Sequence, residues 1–286
     1  MKQLEEFVNE KLKVGTEIKK TVYHPNSKEE LVQLMIEEIN ANGPECSLNH
    51  IDVSNIDDMS FLFRGGDRFQ YFNGHPVLGT FDGDISGWDV SNVTDMHYMF
   101  DESLYTGKNG DISDWDVSNV TNMTCMFYDS KFNGDISNWD VSNVTGMQLM
   151  FFNSKFNGDI SNWDVSNVTD MKYMFEKSRF NGDISDWDVS NVETMKDMFN
   201  KSAFNKDISK WDVSKVENME FMFYNSIFNK DISNWNVSNV ENMGYMFQSS
   251  NFNKDISKWD VSKVKIMDGM FSDSPLENNP PKWYKE

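Results

Sequence analysis

Apolar residues return along this chain in a fixed order every 24 residues. With Trp as position 1, the unit reads W-D-V-S-N-V-x-x-M-x-x-M-F-x-x-S-x-F-N-G/K-D-I-S-x, and residues 163–186 are a clean copy. Two periodicities share each unit. Around W-D-V-S, apolar and polar residues alternate, the pattern of a strand with one buried face. In the clean copy this predicts Ile160, Trp163 and Val165 inward and Asp164 and Ser166 outward. Further on, Val168, Met171, Met174 and Phe175 fall on one stripe of a short helix. Ser166 is placed as its N-cap. Ser190/Glu193, Ser214/Glu217 and Ser238/Glu241 read as capping boxes. The return, S-x-F-N-G-D or S-x-F-N-K-D, is predicted as a tight turn in which Asn accepts the left-handed conformation. Phe156, Phe180, Phe204, Phe228 and Phe252 are its expected buried anchors. The aspartate that follows, as at Asp135, Asp159 and Asp183, is expected to cap the turn by accepting backbone N–H bonds.

All nine tryptophans lie on this lattice, Trp88 and then Trp115 to Trp283 at steps of 24. The first copy starts at Ile51 and carries a 13-residue insertion before Trp88, within Arg64–Gly83, where Phe69, Tyr71 and Phe72 are found. Such a period means one small unit stacked many times, each burying its apolar face against its neighbours. The expected fold class is therefore an α/β repeat. It is a leucine-rich-repeat-like solenoid of 24-residue coils, each a short parallel strand, a short helix and a turn, with a helical N-terminal cap. Residues 1–50 form the expected capping segment, 51–274 the repeat body and 275–286 a C-terminal cap. Within the first, Leu4–Val14 is a predicted helix and Glu17–Tyr23 a strand. Ser27-Lys28-Glu29-Glu30 opens a second helix to about Asn40, with Leu31, Leu34, Met35 and Ile39 on one face. Pro280-Pro281 cannot donate to a ladder, so the last coil is expected to cover the core.

Methionine follows the same register. Of 19, nine sit at position 9 and eight at position 12. Such a stripe is either core or an adaptable binding surface. Val and Phe share its face, which favours core.

The copies W-D-V-S-N-V-T-x-M-x-x-M-F and F-N-G-D-I-S-x-W resemble the BspA-like, Mycoplasma-type repeats of bacterial surface proteins. The resemblance spans residues 51 to about 274. It implies an extracellular or lipid-anchored protein engaged in adhesion and contact with host molecules. No signal peptide or lipid-attachment cysteine is visible near the start, so a cytosolic location stands beside the surface one.

Charge narrows the partners. The formal net charge is −20. Residues 51–199 carry nine basic and 25 acidic side chains, while residues 200–286 carry 11 and 12. An acidic body repels phosphate backbones, so nucleic acid is not an expected partner. No apolar stretch approaches the length that spans a membrane, and a monomer is expected. Four histidines and two cysteines do not recur with the repeat. No nucleophile motif or phosphate loop is present, so no catalytic residue, resident metal or cofactor is expected.

Two rows are candidate partner-binding surfaces. Asp89, Asp116, Asp140, Asp164, Asp188 and Asp212 would line the outer face of the sheet, continued by Asp260 and broken by Asn236. Like charges one strand apart repel. The row is then structural, bonded to flanking Ser or Asn, or it faces a basic partner, or it collects Ca²⁺. Lys206, Lys210, Lys230, Lys254 and Lys258 are placed to neutralise it in the later coils. The second row is aromatic: Tyr98, Tyr173, Phe221 and Tyr245 at position 11, joined by Tyr128, Phe152 and Tyr224. It is either a contact ridge or a cover over the seams between coils. The expected function is non-enzymatic protein binding, with a structural or assembly element as the alternative.

Overall fold

The structure is a computed structural model that describes residues 21–66 and 75–285. The expected helix Leu4–Val14, residues 17–20 of the expected strand, and Phe69, Tyr71 and Phe72 lie outside the described residues. Helix α1 spans Lys28–Asn42. Ser27 caps it by accepting from the Glu30 N–H at 3.3 Å, and Gly43, at φ 89°, ends it. Leu31, Met35 and Ile39 are buried, whereas Leu34 is only half-buried. Helix α2, Pro76–Gly79, is a single turn packed against α1. Just past it, Phe81 enters the core and stacks on Phe63 at 5.0 Å.

The repeat residues build neither the strand nor the helix that their periodicity predicts. The parallel bridges do not fall at W-D-V-S. Apart from Tyr23 with Ile51 and Ser47 with Asp84 at the N-terminal end, they fall at the residue before the first methionine: Asp95 with Asn122, Gly146 with Asp170, Asp170 with Thr194, and so on to Asn242 with Ile266. Val168–Phe175 is not helical. It is a run of β-turns closed by bonds from residue i+3 to i, as from Met174 N–H to the Met171 carbonyl and from Glu176 N–H to the Tyr173 carbonyl. The intervening N–H groups point to the next coil. Met171, Tyr173, Phe175 and Lys177 donate to the carbonyls of Thr194, Lys196, Met198 and Asn200 at 2.8–3.1 Å. One ribbon of turns thus bonds both to itself and to its neighbour. A helix would satisfy the same backbone internally and leave nothing to join the coils. The capping boxes go unused as caps, and the Glu193 N–H donates to the Thr169 carbonyl of the preceding coil.

The turns have a conformational cost. Residue 11 of every coil, and residue 15 of every coil after the first, are left-handed, including Tyr98, Tyr173, Phe221 and Tyr245 at φ 56–60° and Lys177 and Lys201 at φ 54–56°. A side chain in this region costs roughly 1–2 kcal/mol. The inter-coil bonds on either side hold it there. The Asn-Gly turn, by contrast, needs no positive φ. Asn157, Gly158, Asn181 and Gly182 are all at negative φ or extended, which is why Lys206, Lys230 and Lys254 can replace the glycine.

The core is nearly the same in every coil, with Ile51, Leu62 and Tyr105 standing for Trp, Met and Phe in the first coils and Val261, Val264 and Met267 only half-buried in the last. Ile, Trp, two Val, two Met and two Phe are buried, as in Ile184, Trp187, Val189, Val192, Met195, Met198, Phe199 and Phe204, none more than 3% exposed. The methionine stripe is therefore core. Equivalent rings stack from coil to coil: Phe175 on Phe199 at 5.7 Å, Phe180 on Phe204 at 6.3 Å, Trp211 on Trp235 at 6.5 Å. Each indole also has a second task. Its Nε1–H donates to the carbonyl of the Ile (Leu48 for Trp88) one coil back, from Trp88 to Trp283, at 2.9–3.3 Å. A buried indole N–H needs such an acceptor, and here the acceptor fixes the stacking register.

Candidate interaction surface

The outward side chains are arranged by the turns. Each aspartate of the candidate row accepts, through Oδ1, the backbone N–H of the serine two residues on. Ser91 donates to Asp89, Ser118 to Asp116, Ser142 to Asp140, Ser166 to Asp164, Ser190 to Asp188 and Ser214 to Asp212, all at 3.0–3.1 Å. This is an Asx turn. Asn236 performs it equally, accepting from the Ser238 N–H and hydroxyl. The row is thus one of turn-forming residues. Oδ1 is held by the turn, and the carboxylates remain exposed at one-coil intervals. The serine hydroxyl and then the serine N–H hold the carboxyls of Asp116, Asp140, Asp188 and Asp260 below their usual range. These stay ionised at neutral pH.

The later lysines do not serve this row. Lys210 Nζ bonds Asp186 Oδ1 at 3.1 Å. Lys206, Lys230, Lys254 and Lys258 act with Lys210 on the other recurring aspartates, Asp183, Asp207, Asp231 and Asp255, adding to the stronger effect of their serine bonds. Those aspartates cap turns as expected, Ser185 N–H to Asp183 at 3.0 Å for example. Near the candidate row the cations are Lys215, beside Asp188, and Lys263, beside Asp260. Among the described residues no three His, Cys, Asp or Glu side chains converge as a metal set. His24 and His50 face Asp52 and Glu38, not each other.

The aromatic row lies over the seams between coils. Tyr98 stacks on Phe61 at 5.1 Å, Tyr245 on Phe221 at 4.9 Å and Phe152 on Tyr128 at 4.5 Å. Tyr98, Tyr173, Phe221 and Tyr245 are half-buried. Two other residues of this row turn inward. Burial pushes the Cys125 thiol up to about 12, which makes it a poor nucleophile. Asp197 is 5% exposed, and burial first, then the nearby Glu176, raises its carboxyl to about 6, although the Asn200 amide donates to it at 2.6 Å.

Asp197 supports a prediction with a defined sign. A carboxyl whose pKa rises on folding carries a penalty that is absent below its unfolded value and complete above its folded one. Asp197→Asn should therefore stabilise the chain by about 1–2 kcal/mol at pH 8, with the gain shrinking towards pH 4. Asn also accepts φ 56° more readily than most residues. Urea melts at the two pH values measure this, and an equal change at both would exclude the buried charge as its cause.

Three bonding rows were not foreseen from the repeat. Asn157, Asn181, Asn205, Asn229 and Asn253 form a ladder in which each N–H donates to the side-chain oxygen one coil back, at 2.8–3.0 Å. Asn119, Asn143, Asn167 and Asn191 donate from Nδ2 to the serine carbonyl of the preceding coil at 2.7–2.8 Å. Ser154, Ser178 and Ser202 accept from the Phe N–H two residues on. Their recurrence at fixed positions was the available signal.

No helix among the described residues is long and apolar enough to cross a membrane. No curated protein and no solved structure matches the chain. A family model described as "Mycoplasma protein of unknown function, DUF285" matches six overlapping stretches: residues 32–155, 70–181, 103–203, 128–227, 152–248 and 202–284. The overlaps are what a tandem repeat produces. Together they run from α1 through the last coil, and the chain belongs to this Mycoplasma repeat family.

Proposed function

We propose that the chain is a BspA-like solenoid that binds another protein without catalysis, at a bacterial surface or in contact with a host. One observation carries the reading. Exposed aspartates repeat at one-coil intervals outside a core that is the same from the coil of Trp115 to that of Trp235. Their backbones are fixed by Asx turns and inter-coil bonds, so little ordering is lost when a partner docks. A row of like charges at regular spacing suits a basic, extended protein surface and speeds its approach.

The chain itself supplies a clean test. Asn236 shows that asparagine makes the same turn. The triple variant Asp116→Asn, Asp140→Asn and Asp164→Asn should keep the wild-type melting temperature and lose charge alone. Binding to cultured host cells and to an immobilised basic polypeptide should fall several-fold at low salt. Unchanged binding in both assays would exclude the aspartate row as the contact surface.

A further inference from the structure

The asparagine ladder borders a groove of about 670 Å³ that crosses the coils opening with Trp163, Trp187 and Trp211. Its walls come from Asn181, Asn205, Lys206, Asp207, Lys230 and Asp231, and Ile227 lies among them, 48% exposed. This combination is local. At the position of Lys206 and Lys230 the earlier coils carry Gly134, Gly158 and Gly182, and at the position of Ile227 they carry Lys131, Lys155 and Arg179. The lysines enter the ladder at the point where the acidic excess of the chain ends.

The asparagines and aspartates here are each fixed by one bond and keep another polar group free. Asn181 Oδ1 accepts the Asn205 N–H at 2.9 Å, and Asn205 Oδ1 accepts the Asn229 N–H at 3.0 Å. A backbone N–H needs an acceptor, so each amide turns its Nδ2 the other way. Neither Nδ2 has an acceptor among the described residues. Asp207 and Asp231 accept the Ser209 and Ser233 N–H through Oδ1 at 2.9 Å, which leaves each Oδ2. Lys206 and Lys230 are exposed and lie near Asp183 and Asp207, one coil back, without a direct bond to either. The groove thus offers donors from two amides and two ammonium groups, and acceptors from two carboxylate oxygens.

We propose that this groove binds a linear polysaccharide that carries carboxylates, of the hexuronate class. The excess of donors calls for a ligand rich in acceptors, with anionic groups for Lys206 and Lys230. Ring hydroxyls both donate and accept, so they suit the Nδ2 groups and the aspartate Oδ2 atoms together. The C–H face of a pyranose suits Ile227. Bridged coils lie about 4.8 Å apart, and a pyranose in an extended chain takes up nearly the same length. One sugar then meets one coil, and successive carboxylates meet Lys206, Lys230 and Lys254. A nucleic acid would need an excess of cations and rings for its bases. The groove holds as many aspartates as lysines and no aromatic side chain. A compact apolar ligand would find Ile227 alone to bury against. The groove uses none of the residues of the candidate aspartate row, and this inference does not depend on that row.

A fluorescently labelled oligo-glucuronate tests it on the full chain, read by anisotropy. The expected result is saturable binding that neither the carboxyl-reduced oligosaccharide nor single-stranded DNA competes away. Lys206→Gly combined with Lys230→Gly copies what Gly158 and Gly182 already do in other coils. The melting temperature should therefore hold while the affinity falls tenfold or more. Ile227→Asp, at an exposed position, should weaken binding several-fold. The triple variant Asp116→Asn, Asp140→Asn and Asp164→Asn should bind at least as tightly as wild type, because it removes repulsion and leaves the groove intact. No saturable binding, equal competition by the reduced sugar or by DNA, or an unchanged affinity in the double lysine variant overturns the proposal. So does a loss of binding in the aspartate variant, which would move the contact to the other row.

Discussion

Trp187→Ala is expected to destabilise the chain by about 3–5 kcal/mol and to divide its unfolding into two transitions. Trp187 is 3% exposed, packs 6.2 Å from Phe175 and donates to the Ile160 carbonyl at 3.0 Å. Its removal leaves a cavity in one coil and takes one of two bonds from the Ile160 carbonyl in the coil before, which still accepts the Trp163 N–H at 3.2 Å. In a stack, each unit is held chiefly by its neighbours, so cooperativity passes through every interface. A cavity at a central coil weakens the link between the two flanks. Trp283→Ala, at a half-buried end position, should cost about 1–2 kcal/mol and leave a single transition. Trp187→Phe separates the two contributions: it keeps most of the ring, and its cost of about 0.5–1.5 kcal/mol would report the lost indole bond. Urea unfolding followed by circular dichroism and tryptophan fluorescence reads all three. A single coincident transition for Trp187→Ala would show that coupling runs through the outer ladders instead.

Deleting residues 163–186, one whole coil, should leave a folded chain, whereas deleting residues 163–174 should abolish folding. After the longer deletion the coil that opens with Trp139 meets the one that opens with Trp187. Phe151 then faces Phe199, Asn157 bonds Asn205, and the Trp187 indole finds the Ile136 carbonyl in place of Ile160. Every one of these contacts already exists between other pairs of coils. The half-coil deletion instead sets the Met and Phe turns against the Trp side, so neither the inter-coil bonds nor the ring stacks can form. The longer deletion should lower the melting temperature by a few degrees, roughly the loss of one nearest-neighbour interface. Size-exclusion profiles and thermal melts of the two variants test the pair. A folded half-coil variant would show that register matters less than composition.

These expectations rest on features of unequal legibility. The period, the insertion before Trp88 and the inward residues could all be read from spacing, because each buried side chain recurs at one position and is buried in nearly every coil. The stripe predicts a helix that the structure does not form, for a physical reason. Val168, Met171, Met174 and Phe175 present one face both to a helix and to a chain of three-residue turns. Local periodicity does not separate the two, since the choice lies in where the N–H groups go. The left-handed residues were equally hidden. Tyr173 and Phe221 are poor local choices for φ near 60° and adopt it because flanking bonds to the next coil leave no alternative.

The candidate surfaces divide in the same way. The aspartate row was visible as a repeating carboxylate, and the bond to the serine two residues on follows from local geometry that Asx turns share. The pairing of the later lysines was not visible. Sequence distance put them near both aspartate rows, and only the stacking showed that Lys210 meets Asp186 while Lys215 lies beside Asp188. By itself, the sequence determined the unit, its register and its buried residues, because burial depends on hydrophobic identity at each recurring position. Only the tertiary structure decided that the ribbon is made of turns, that the indoles tie coil to coil, and that α1 lies over the first coil. Those outcomes depend on which backbone donors find acceptors one coil away, and no single 24-residue unit holds that information.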